Sequence, residues 1–173
     1  MNIVDQIVSI YAFNKDYALS LCESIPAGDF HQNEINGLLL NPPGWTLGHL
    51  ALASAKVRRS FSDVLDIPNE WNVFDRTGPG DQSALPHADL LPNKSAIIIE
   101  YKRQHLELTA QLKTTDEYAL LQPIKWFFES RFKNKLEMVN FMCCLHEAYH
   151  LGQLATWRRS MGITESALAK LKV

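Results

Sequence analysis

His146-Glu147-Ala148-Tyr149-His150-Leu151-Gly152-Gln153-Leu154, followed by Trp157-Arg158-Arg159, is the stretch from which the fold is read. It lies in a longer pattern, Phe132, Leu136, Val139, Cys143, His146, His150, Leu154 and Trp157, whose members recur every three or four residues until Gly162. That spacing stacks side chains on one face of an α-helix of about seven turns. His146 and His150 stand one turn apart on this apolar face, so both are expected to point inward. Two neutral imidazoles at i and i+4 can chelate one ion, each nitrogen about 2.0–2.1 Å from it. A single inward histidine is more often a core residue bonded to a neighbour. Two buried together leave several ring nitrogens in need of partners, and a metal ion supplies them.

Working outward, Ile3, Ile7, Ile10, Tyr11, Ala18, Leu21 and Ile25 predict an amphipathic first helix stopped by Pro26 and Gly28. Asn41-Pro42-Pro43-Gly44-Trp45-Thr46 announces a second, with Thr46 offering an N-cap hydroxyl and the helix ending near Leu65. His49 falls on its inward face with Ala53 and Phe61, which makes it the candidate third ligand. From Asp66 to Pro92, Pro68, Gly78, Pro79, Gly80, Pro86 and Pro92 are incompatible with a helix or central strand. That span reads as a long crossover, and Trp71, Val73 and Phe74 predict that it packs down and roofs part of a pocket. Asn93 or Ser95 caps a third helix with Ile98, Tyr101, His105, Leu108 and Leu112 on one face, ending near Lys113 before a turn-rich stretch to Pro123. No segment alternates with the period of a strand. The expectation is an all-α four-helix bundle with a long crossover between helices two and three, one domain over residues 1–173.

Charge narrows the function. The chain has 17 basic and 19 acidic residues, a formal net charge of −2, and no run of five or six like charges. Arg58-Arg59 and Arg158-Arg159 read as solvated helix faces, so nothing forms the basic footprint that nucleic acid requires. Cys22, Cys143 and Cys144 are odd in number, two of them adjacent, which suits a reducing compartment better than a disulfide framework. The first 21 residues lack the basic and apolar regions of an export signal, and no stretch approaches the ~18 apolar residues of a membrane span. A cytoplasmic protein without a membrane partner is expected.

Residues 146–150 also spell H-E-x-x-H, in which two histidines bind zinc and the glutamate activates water in metalloproteases. Those enzymes take a third ligand downstream, and residues 151–173 contain no histidine. Glu147 then reads as a partner of a ligand imidazole or as an exposed helix residue. His105 and Tyr101 are candidates to bind substrate, to act as acid or base, or to satisfy each other. Cys143 stays outside the ligand set, since buried cysteine usually behaves as a small hydrophobe. Gln153 is placed to orient a ligand ring.

Trp45-Thr46-Leu47-Gly48-His49-Leu50 and His146 to Leu154 with Trp157-Arg158-Arg159 resemble two segments of the DinB-like (YfiT-like) superfamily of metal-dependent enzymes. Ile67-Pro68-Asn69-Glu70-Trp71 and Leu85-Pro86 resemble the crossover in one branch of it. The resemblance implies the four-helix scaffold and a divalent metal ion held by His49, His146 and His150. Members share scaffold more than chemistry, and activities assigned among them include thiol-dependent S-transfer and maleylpyruvate isomerisation.

Three protein ligands leave a coordination position open, as in catalytic rather than structural zinc sites. Bound water is acidified there and a bound thiol is deprotonated, so a transferase or a hydrolase acting on a small molecule is expected, with a low-molecular-weight thiol as a candidate co-substrate. Zinc and nickel stand first among the imidazole-favoured ions. The alternatives are a metal-stabilised binding module without turnover and, behind it, the zinc metalloprotease. Apolar residues left on helix one point to a homodimer.

Overall fold

The computed structural model describes residues 2–76 and 85–171. Four long helical stretches carry the core, as expected. Helix α1 (Ile3–Glu23) begins with a capping box, Asn2 accepting from the Asp5 amide while Asp5 accepts from that of Asn2. Its buried line runs through Ile7, Tyr11, Ala18 and Leu21, while Ile3 and Ile10 are each 49% exposed at the edge of the stripe.

Helix α2 (Pro43–Ser62) starts earlier than expected, and Thr46 is not its cap. Pro42 holds that position; Pro43 has no N–H to satisfy, and the Gly44 amide donates to the Phe30 carbonyl at 2.8 Å. Thr46 is buried inside the first turn. From Pro43 to Ala55 every residue but His49 is buried. A helix covered all round is the centre of its fold.

A two-stranded hairpin, β1 (Glu34–Ile35) and β2 (Leu38–Leu39), precedes α2 and corrects the expectation of no strand. Asn36 and Gly37, at φ 52° and 78°, form the left-handed turn that an Asn-Gly pair adopts at no steric cost. In the crossover, Pro68 leads into a 3-10 turn (Asn69–Phe74) that buries Trp71 and Phe74 against the core, as expected. Gly78, Pro79 and Gly80 lie outside the described residues. Helix α3 (Lys94–Thr114) is capped by Asn93, and the stretch read as turns contains a short helix, α4 (Glu117–Leu121), capped by Asp116.

The last helix is interrupted where its periodicity gave no warning. Helix α5 (Lys135–Asn140) passes into a π-helical turn (Phe141–His146) and then α6 (Glu147–Ser160), with right-handed helical backbone at each junction. Gly162, at φ 75°, ends it. Arg158 departs from the solvated face assigned to it: only 3% exposed, its guanidinium donates to the carbonyls of Ser20, Leu21 and Glu165. Arg58 is also drawn in, pairing with Glu107 and Gln104. No helix among the described residues is long and apolar enough to cross a membrane.

Candidate metal centre

His49 from α2, His146 from the π turn and His150 from α6 each present a ring nitrogen within 4.8 Å of the others. The three residues singled out from the sequence are therefore brought together. His49 Nδ1 lies 3.0 Å from the carbonyl oxygen of Phe74. A carbonyl only accepts, so Nδ1 carries the hydrogen and Nε2 is left with a bare lone pair. That lone pair faces His146 Nε2 at 3.3 Å, close to the separation of two nitrogens bound about 2.0–2.1 Å from one tetrahedral ion. The Nδ1 atoms of His146 and His150 are buried without a hydrogen-bond partner among the described residues. The bare Nε2 of His49, facing a second ring nitrogen at the separation of two ligands, fits a divalent cation.

Protonation does not compete. Burial pulls the His146 imidazole down to about 4, helped by the neighbouring His49. Burial, then His49 and His146, take His150 to about 2. Burial also lowers His49, opposed by its hydrogen bond to Phe74. All three rings are neutral at physiological pH, the form that binds metal.

The surroundings fix the rings further. Trp45, one turn before His49, stacks on it with centroids 4.8 Å apart and planes 11° from parallel. The guanidinium of Arg76 lies 4.6 Å from the Trp45 ring centre. Asn41 donates to Gln153 at 3.0 Å, and Gln153 stands one turn after His150, as placed from sequence. The cluster opens on a groove of about 1770 Å³ whose apolar wall includes Trp126, Phe128 and Phe141. Asp75, Arg76 and Leu85 line it too, so the described parts of the crossover contribute to the pocket as expected.

The candidate catalytic residues go elsewhere. Glu147 is 1% exposed, and Tyr101 Oη donates to its Oε1 at 2.9 Å while His105 Nε2 lies 2.5 Å from the same oxygen. Burial and the Glu147 carboxylate push the Tyr101 hydroxyl up, keeping it a donor. The Tyr11 ring stacks on His105 at 3.7 Å, and its hydroxyl reaches Ser54 at 2.7 Å. Glu147, His105 and Tyr101 thus meet one another in the core, and none of them lines the groove. Glu147 stands outside the group of ligating atoms, and its bonded oxygen faces α3. Cys143 is likewise buried and outside that group. Sequence reading missed the Phe74 carbonyl, which no residue letter encodes, and the Trp45 stack, which its position one turn before His49 would have revealed.

No curated protein and no solved structure matches the chain. The family model of the DinB superfamily does, over residues 11–154. That span includes all three histidines, the hairpin and the crossover, and the chain belongs to the DinB superfamily.

Proposed function

We propose that the protein is a metal-dependent enzyme in which His49, His146 and His150 hold one divalent ion, zinc or nickel, at the head of the groove. When bound, such an ion acidifies a coordinated water or thiol and so supplies a nucleophile near neutral pH. The observation that carries this reading is the pair of ring nitrogens 3.3 Å apart, one of them locked into the ligating tautomer by Phe74, opening on a large cleft. The chain's own contribution is orientation and shelter. Phe74 and Trp45 fix the His49 ring, and the apolar wall of Trp126, Phe128 and Phe141 suits the hydrocarbon part of a small substrate while excluding water. The reaction is transfer of a thiol, or hydrolysis, at a small electrophile.

Purified protein is expected to contain one equivalent of metal by elemental analysis and to lose it in His146→Ala. With metal loaded, a panel of low-molecular-weight thiols with electrophiles, and of esters and amides, separates transferase from hydrolase. Metal binding with no turnover across the panel would favour the non-catalytic binding module. Ile10 and Phe13, 49% and 50% exposed on α1, support self-association, which sedimentation measures directly.

A further inference from the structure

Two orphaned polar atoms lie next to each other in sequence. His146 Nδ1 and Glu147 Oε2 are both buried, and neither has a hydrogen-bond partner among the described residues. A ligand imidazole nearly always donates its second N–H to a carboxylate, carbonyl or water, and a buried carboxylate oxygen left unpaired is costly. Both residues line one small cavity, together with Tyr11, Ser54 and Cys143. Its volume is about 10 Å³. That is roughly the least space, about 10–15 Å³, that one buried water needs, and a water also requires two to four polar partners. With Nε2 of His146 on the metal its hydrogen sits on Nδ1, so the cavity then has a donor in His146 Nδ1–H and an acceptor in Glu147 Oε2. The Tyr11 hydroxyl stands beside them, its own hydrogen committed to Ser54, which in turn donates to the Leu50 carbonyl at 2.9 Å.

We infer that one water in this cavity links His146 Nδ1–H to Glu147 Oε2, making Glu147 a positioning residue for a metal ligand. The inference rests on the metal-centre reading of His146. His146 donates to the water and the water donates to the carboxylate. The other carboxylate oxygen is pinned by Tyr101 and His105, so α3, which provides no ligand, governs the setting of the ligand on the π turn. A carboxylate acting through this link fixes the ring and raises its basicity.

In competition titrations against a chromophoric chelator, Glu147→Gln is expected to bind zinc about 10–100-fold more weakly than the unaltered protein. Equal affinity would overturn the inference. Nitrogen NMR of the zinc-loaded protein supplies a readout that a purely structural role would not move. The His146 Nδ1–H resonance should shift in Glu147→Gln, and an unchanged resonance counts against the link. If that variant does not fold, the zinc-loaded native protein decides alone: its high-resolution structure must show one water within hydrogen-bond distance of both atoms, and a dry cavity refutes the proposal. Failure of the native protein to bind zinc would instead remove the metal-centre reading, and this inference with it.

Discussion

A methyl group added at Gly48 would lie 2.4 Å from the ring of Phe74, which is fully buried and has nowhere to go. Overpacking of this kind costs about 1–3 kcal/mol, against about 0.5–1 kcal/mol gained from a better helix former. Gly48→Ala is therefore expected to lose about 1 kcal/mol in urea denaturation. It should also weaken zinc binding, because the displaced residue carries the carbonyl that holds His49. The histidines make a second prediction. With the folded value for His146 at about 4 against an ordinary 6.5, the unfolded chain binds more protons between those values. The stability that a neutral His146 contributes to the metal-free protein is thus fully present above pH 6.5 and is lost as the pH falls toward 4. His146→Gln should make that dependence shallower in pH-resolved denaturation curves, the part due to His150 and His49 remaining. At this scale the cluster of three histidines was legible because histidine is chemically distinctive and its spacing put two on one face. Phe74 was not legible as a partner, since it acts through its main chain.

The π turn between α5 and α6 explains why Glu147 could not be placed from periodicity. An α-helix separates successive side chains by about 100°, which should turn the residue after an inward His146 away from the core. A π turn is wider, with less rotation per residue, so His146 and Glu147 both face inward, one toward His49 and the other toward His105. Deleting Leu145, 61% exposed within that turn, would restore α-helical phasing and rotate α5 against α6. The variant is expected to keep its helical circular dichroism and to lose stoichiometric zinc, and retention of zinc would show that the π turn does not set the site. The three-to-four-residue stripe of the last helix concealed this, because its spacings of three and four suit an α-helix and a single π turn alike. The hairpin was missed for a different reason. Asn36-Gly37 is a strong turn signal, but two-residue strands are too short to show alternation.

Across the whole molecule, Arg158 joins the end of α1 to α6 and to the tail at Glu165. A buried cation at the carbonyl end of a helix is well placed against that helix's dipole. Removing it orphans three main-chain acceptors, so Arg158→Leu is expected to cost about 3 kcal/mol by denaturation while leaving the zinc stoichiometry of the folded protein intact. A loss of stability below 1 kcal/mol would show that solvent replaces those bonds, roughly the worth of a single exchanged hydrogen bond. From sequence, Arg158-Arg159 looked like surface because the partners of Arg158 are carbonyls contributed by every kind of residue. The four long helices and the crossover were legible because packing demands a continuous apolar face, and proline and glycine interrupt it. One feature of this arrangement reaches beyond the folded state. His49 and His146 are 97 residues apart, so during biosynthesis the first ligand leaves the ribosome long before its partners exist. On the proposed reading the complete ligand set exists only in a chain synthesised past His150, and a ribosome-stalled chain ending before His146 should take up none. Loading would then be a late maturation event, open to competition among whatever metals the compartment holds at that moment.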